Sequence, residues 1–532
     1  MALNLLIGAA TILLCILCNK LSNRIGVPML LAFIAIGMLF GTDGLFKIPF
    51  ENFIFAEQIC SVALIFIIFY GGFGMKWSQA KPVAVKSILL SSIGVILTAV
   101  FTGAFCRFVL HADLLESMLI GSVLSSTDAA SVFSILRSKK LNLKYGTASM
   151  LELESGSNDP CAYMLTVITL SVMSGKNSTG AVAYLIFAQI FFGAMIGVII
   201  ALAAAYFLEH YKFVTEGFDA AFVLAIAVLA YAIPAVIGGN GYLSTYIVGI
   251  ILGNKNIKNK KSFVHFFDGI TGLMQMLVFF LLGLLAFPSQ IPQILLPSVA
   301  ITLFLTFVAR PLAVAMILGP AKSKLNQLLL VSWTGLRGAT AIVFAIMAMV
   351  SEAYMKNDVF HITFCVVLFS IAFQGSLLPY VAKKLNMIDT DGDVLKTFSD
   401  YTEETNVQFI RLVIGKEHPW LGKPVKETSL PPNTLIVMIL RNNESIIPNG
   451  DTQILCGDRI VISAPAFANE ENVHLSEVCI NDRKDWCGKT IASIDLPSRT
   501  LVIMIKRNDQ AIIPDGRTIL IENDVLILNS SR

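Results

Sequence analysis

Residues 153–165 read LESGSNDPCAYML, so Glu154 and Asp159 stand at the head of an apolar run from Ala162 to Met173. A charge inside a bilayer costs at least a few kcal/mol, so an intramembrane carboxylate is by default a functional hypothesis. On a helix Ser155 and Glu152 share the face of Asp159, whereas Glu154 points about 140° away. Pro160 has no N–H, which leaves a carbonyl one turn earlier without its donor. Carboxylate, hydroxyl, amide and freed carbonyl together make an oxygen-rich notch. Hard monovalent cations prefer oxygen ligands, and a carboxylate also holds a proton. One group can therefore accept either ion but not both.

Two further constellations interrupt apolar segments. In SVLSSTDAASVF, residues 122–133, the island Ser125-Ser126-Thr127-Asp128 competes for backbone hydrogen bonds and marks an unwound helix. In TGLRGAT, Gly335 and Gly338 flank Arg337. Asp128 either contacts the ion or compensates helix ends at a crossing of the two breaks. The ionisable groups well within apolar segments are Asp128, Glu152, Glu154, Asp159, Arg310 and Arg337. Arg337 with Glu154 reads as a buried structural ion pair.

The elements that must hold these residues are membrane spans. The chain has 532 residues, 55% hydrophobic and only 14% charged, against about 25% charged in soluble proteins. Candidate spans, each near the length needed to cross, are 3–19, 27–41, 53–75, 87–110, 115–136, 146–173, 181–208, 218–237, 241–253, 264–287, 292–319, 326–350 and 357–382. Lys and Arg crowd into alternate connections: Lys20 and Arg24, Lys76 to Lys86, Arg137 to Lys144, Lys212, Lys255 to Lys261, Lys322 and Lys324, Lys383 and Lys384. The other connections hold only Lys47, Arg107, Lys176 and Lys356. This asymmetry places the first set in the cytoplasm, the N-terminus outside and the C-terminal tail inside. The two interrupted helices lie seven spans apart, as an inverted repeat would produce, and such interrupted pairs point to a transporter's binding site.

Residues 385–405 are polar and acidic and read as a solvated linker. A repeat follows at an offset of 66 residues, beginning WLGKPVKETSLPPNTLIVMIL at Trp420 and WCGKTIASIDLPSRTLVIMIK at Trp486. Short β-rich runs broken by Pro-Asn-Gly and Pro-Asp-Gly turns suggest small α+β units. Both copies resemble the C-terminal ligand-sensing domain of potassium-transport regulators (RCK_C or TrkA-C), over 406–466 and 472–532. Copy two departs with Asn523 in place of Gly457. The tail has no G-x-G-x-x-G, so the usual nucleotide-binding partner domain is missing. The resemblance implies a nucleotide or cyclic dinucleotide regulator. Lys423, Lys489, Arg441 and Arg507 stand either as phosphate contacts or as solvated surface.

STDAASVFSIL together with ESGSNDP resembles the cation:proton antiporter-1 family, in its NhaP-type potassium/proton branch, across essentially the whole chain. The resemblance implies an antiparallel-repeat fold, a homodimer and elevator-like alternating access. It maps the ion-exchanging aspartate onto Asp159, its neighbour onto Asn158, a Thr-Asp motif onto Thr127 and Asp128, and a Glu-Ser motif onto Glu154 and Ser155. It pairs Arg337 with Glu154. Relatives often carry an acidic residue before Gly-Gly in the third span, where this chain has Tyr70.

The expectation is an all-α polytopic membrane protein of about thirteen helices in two inverted repeats (1–384), a linker (385–405) and a cytoplasmic tail of two tandem RCK_C-like domains. It would exchange cytoplasmic K+ (or Na+) for H+ in a bacterial inner membrane and serve pH homeostasis, with the cation at Asp159, Thr127 and Ser155. It has no covalent cofactor and no nucleic-acid partner. One exchanging carboxylate implies electroneutral exchange. A ligand-gated channel with the same tail is the rival, although no Thr-Val-Gly-Tyr-Gly filter is present. An enzyme is the least expected class, since the sequence shows no nucleophile–base set or phosphate loop.

Overall fold

The computed structural model describes residues 9, 12–17, 28–128, 131–132, 135–136, 141–175, 179–211, 217–255, 257, 260–389, 407–415, 418–432, 434–441, 444–465, 475–480, 484–496, 500–507, 510–512 and 514–530. Most of the first candidate span and most of the proposed linker lie outside these residues. The chain divides into two compact units, Met1–Glu403 and Glu404–Arg532.

The first unit is helical. Its elements are α1 (Met29–Phe40), α2 (Phe53–Gly74), α3 (Ala84–Phe108), α4 (Leu114–Val123), α5 (Thr147–Met173), α6 (Thr179–His210) and α7 (Phe218–Val236), then α8 (Gly241–Asn254), α9 (Lys260–Leu285), α10 (Pro288–Leu318), α11 (Leu325–Trp333), α12 (Ala339–Val350) and α13 (Val359–Lys384). Among the described residues, seven of these are long and apolar enough to cross a membrane: α2, α3, α6, α7, α9, α10 and α13. Several starts are written in the sequence. Asn52, Asn240 and Asp358 each accept a bond from the backbone N–H three residues on, at 2.9–3.0 Å, and so satisfy a donor that the helix leaves open.

Close packing between helices depends on small residues, because lipid supplies no hydrophobic drive for association. Gly249 of α8 faces α2 so closely that an added Cβ would lie 2.4 Å from the Phe69 carbonyl. Three long helices contain a wide π turn, at Leu90–Gly94, Leu305–Ala309 and Ser370–Gly375. Such bulges re-aim the residues around them and cluster at functional sites.

The proposed linker begins later than its polarity suggests. Leu143 and Ile388 form a β-bridge, and Lys144 N–H donates to the Met387 carbonyl at 2.9 Å. Met387 is fully buried. The apolar side chains Leu385, Met387 and Ile388 give this stretch a reason to stay on the helical unit.

The second unit holds two four-stranded antiparallel sheets of the same order. Strands β1 (Val407–Val413), β2 (Leu435–Arg441), β3 (Glu444–Ile446) and β4 (Arg459–Pro465) pair as β1-β4-β2-β3. Strands β5 (Leu475–Cys479), β6 (Thr500–Arg507), β7 (Gln510–Ile512) and β8 (Val525–Ser530) repeat this as β5-β8-β6-β7. Even the register irregularity recurs, between Ile436 and Met438 and between Val502 and Met504. Among the described residues the helical component is limited to single 3₁₀ turns such as Val425–Glu427 and Ile491–Ser493. Pro424, Pro431 and Pro432 around the first of them prevent a longer helix.

Each sheet carries the same arginine–aspartate pair. Arg441 donates from Nε and Nη2 to the two carboxylate oxygens of Asp458 at 2.9 and 2.8 Å, and from Nη2 to the Gln453 carbonyl at 2.7 Å. Arg507, Asp524 and Ile519 repeat the arrangement at 2.8, 2.7 and 2.7 Å. The aspartates follow Gly457 (φ 87°) and Asn523 (φ 67°). Asparagine is among the few side chains that tolerate this left-handed backbone, so the departure in copy two preserves the turn. Each arginine is thus engaged in a structural pair while its side chain stays partly exposed, at 28% for Arg441 and 26% for Arg507.

Arg441 holds the Asp458 carboxyl below the usual range. Burial pushes Asp524 upward, but Arg507 and the Ile521 N–H outweigh it and lower it. A depressed folded-state value stabilises above the ordinary aspartate pKa of about 3.9 and is lost as pH falls through the depressed value. The pairs therefore hold at neutral pH and weaken below about pH 4. Asp458→Ala should destabilise its own repeat by about 2–3 kcal/mol. Limited proteolysis of the full chain should then cut the first repeat before the second, and Asp524→Ala should reverse the order.

Candidate functional site

Helix α4 ends at Val123, and residues 126–128 are not helical. Helix α11 ends at Trp333 and α12 begins at Ala339. The two interruptions meet. Asp128 N–H donates to the Leu336 carbonyl at 2.8 Å, so each break supplies the other with a backbone partner it has lost from its own helix. Both glycines of TGLRGAT have a packing reason. A Cβ on Gly338 would lie 2.0 Å from a carboxylate oxygen of Asp128, and one on Gly335 would lie 3.1 Å from Cγ and Nε of Arg310.

Helix α5 lays its polar turn against this junction. Asp159 is only 7% exposed and Asn158 is fully buried. The Ser126 hydroxyl donates to Asp159 Oδ1. The Thr340 hydroxyl, from the second residue of α12, also bonds the Asp159 carboxylate. Asp159 is thus held by one hydroxyl from each interrupted helix. Asn158 Nδ2 donates to Thr127 Oγ1 at 2.5 Å, and Ser155 Oγ donates to the Thr127 carbonyl at 2.7 Å. Thr127, Ser155, Asn158 and Asp159 therefore come together as their motifs suggest. The hydroxyls recorded on the carboxylate itself are Ser126 and Thr340. Ser126 belongs to the polar island, where the sequence marks it only as a helix breaker. Thr340, next to the glycine-flanked arginine, carried no signal of its own.

Asp128 lies within electrostatic reach of this carboxylate. Its side chain accepts from Ser131 N–H at 3.2 Å and Ser131 Oγ at 2.5 Å, which caps the helical residues that follow.

The expected pair of Glu154 with Arg337 is replaced by another. Glu154 Oε1 bonds Nη2 of Arg310 at 2.5 Å, with side chains 1% and 3% exposed. Arg310 follows the π turn of α10 and crosses the bare face of Gly335 to reach α5. Arg337, fully buried, sends Nη1 to the carbonyls of Ser125 and Ser126 at 3.0 and 2.5 Å. Those carbonyls lie where the chain leaves α4, the negative end of its dipole, and a cation there compensates it. Ser370 of the third π turn accepts from Arg337 N–H at 3.1 Å.

Tyr70, at the position where relatives are often acidic, donates to Asp268 Oδ1 at 3.1 Å. A carboxylate does stand near this point, supplied by α9 rather than α2.

The family model for the sodium/hydrogen exchanger transmembrane domain matches residues 9–384. The chain belongs to the sodium/hydrogen exchanger family. The TrkA-C domain model matches residues 409–466 and 475–531. The K(+)/H(+) antiporter NhaP2 of Shewanella sp. (strain ANA-3) is 33% identical over 464 residues, covering 86% of this chain and 80% of the relative. The K(+)/H(+) antiporter NhaP of Alkalimonas amylolytica is 31% identical over 466 residues, covering 86% and 81%. The sodium proton antiporter MjNhaP1 from Methanocaldococcus jannaschii shares the fold, with TM-score 0.64 and 23% identity over 72% of this chain and 99% of that one. This exchanger is a multi-pass membrane transporter, not an enzyme.

Proposed function

We propose that this exchanger moves K+ against H+, with Asp159 as the group that carries one ion or the other. The observation behind this reading is a buried carboxylate met by a hydroxyl from each of two crossing helix breaks. The side chains gathered near it bear oxygen: Ser126, Thr127, Ser155 and Thr340, with the Asn158 amide donating to Thr127. Hard cations take such ligands, and the same carboxylate can instead hold a proton. Potassium is favoured over sodium because the relatives matched along most of their length are named K(+)/H(+) antiporters.

In this scheme about thirteen spans form two inverted repeats, the N-terminus lies outside and the tail inside. The protein works as a homodimer with elevator-type motion. A small ligand at the TrkA-C tail regulates it, with Lys423, Lys489, Arg441 and Arg507 as candidate phosphate contacts. One carboxylate exchanging one monovalent ion for one proton makes the cycle electroneutral.

Transport in proteoliposomes with K+, Na+ and Li+ across pH tests the proposal. Only the deprotonated site binds the cation, so the apparent KM should rise about tenfold for each unit by which the pH falls once the site is mostly protonated, with Vmax little changed. Clamping the membrane potential should leave the rate unaltered. A pH-independent KM, or single-channel steps in bilayer recordings, would remove the exchange scheme.

A further inference from the structure

We infer that Glu154 is shared between Arg310 and Arg337, and that this sharing decides whether the carbonyls of Ser125 and Ser126 are open to the transported cation. The inference rests on the antiport reading above. Three buried charges meet here: Arg337 lies within electrostatic reach of both Arg310 and Glu154. The pairing among them is incomplete. Glu154 Oε2 has no hydrogen-bond partner, and neither do Nε and Nη2 of Arg337 or Nε of Arg310. Buried polar groups are normally satisfied, so orphaned atoms of opposite charge in one region imply an arrangement that pairs them.

That arrangement is a change of partner. Here Arg310 holds Glu154, and Arg337 is left to donate to the Ser125 and Ser126 carbonyls. When Glu154 turns to Arg337, the guanidinium is drawn off the two carbonyls. The freed oxygens sit at the negative end of α4, and one belongs to the residue whose hydroxyl bonds Asp159. Backbone carbonyls can replace the hydration shell of an alkali cation. Arg337 and the cation therefore compete for the same two oxygens, and Arg310 is a positioning residue that keeps the competitor in place.

The test is the K+ dependence of exchange in proteoliposomes. Arg310→Gln releases Glu154 to Arg337 and leaves the carbonyls open. KM for K+ should fall at least about fivefold, the low end of usual coupling between sites. Vmax should fall with it, because release slows. Arg310→Lys should shift KM in the same direction by less, and it decides the matter if the glutamine variant does not give a monodisperse protein. A pair that only holds helices together predicts reduced yield and Vmax with KM unchanged, and that result would overturn the inference. An exchanging Arg310→Lys protein with wild-type KM removes the partner change alone, whereas exchange that persists without Asp159 removes the antiport reading beneath it.

Discussion

Asp159→Asn should bring cation-driven proton movement in proteoliposomes to background while the protein stays folded. Asparagine matches aspartate in size, and its carbonyl oxygen can still accept from Ser126 and Thr340, the two hydroxyls on the carboxylate. It cannot bind or release a proton near neutral pH, and it offers a cation no charge. The substitution also removes a desolvated carboxylate that is 7% exposed, so stability should hold or rise. A folded, inactive variant is therefore the expected result, read as cation-induced pH change beside thermal unfolding in detergent. Robust exchange by the folded variant would sink the assignment of Asp159.

Glu154→Gln should act through folding instead. The native site holds two buried arginines and the one carboxylate bonded to Arg310. Glutamine keeps an acceptor for Arg310 but leaves two guanidiniums without a counter-charge. Removing one partner of a buried ion pair typically costs about 3–5 kcal/mol. Thermal unfolding should register a loss of this order, and the yield of monodisperse protein should fall. A melting temperature unchanged from wild type would mean that Glu154 is not the charge that keeps Arg310 and Arg337 buried.

Much of the helical unit was legible because hydropathy reports lipid and core exposure over a length a helix cannot hide. The residues 326–350 read as one span with a break at TGLRGAT, and the structure divides it at Trp333 and Ala339. The polar turn of α5 was equally plain, since few residue types tolerate that position without a purpose. The partner of Glu154 was not legible. Arg310 and Arg337 are both buried basic residues, and the choice between them depends on a π turn before Arg310 and on the missing side chain at Gly335. Neither leaves a periodic trace in sequence. In the tail, the repeat announced two equal domains, but the Arg441–Asp458 pair joins residues across a turn and became visible only once the strands were registered.

The backbone bond from Asp128 to Leu336 has a mechanical consequence. Parting the two breaks would strand an N–H and a C=O in surroundings too dry to accept them, at a cost of several kcal/mol. Under the elevator motion proposed above, a stroke that carried Asp159 across would therefore move this junction as one piece, with the hinges at its periphery.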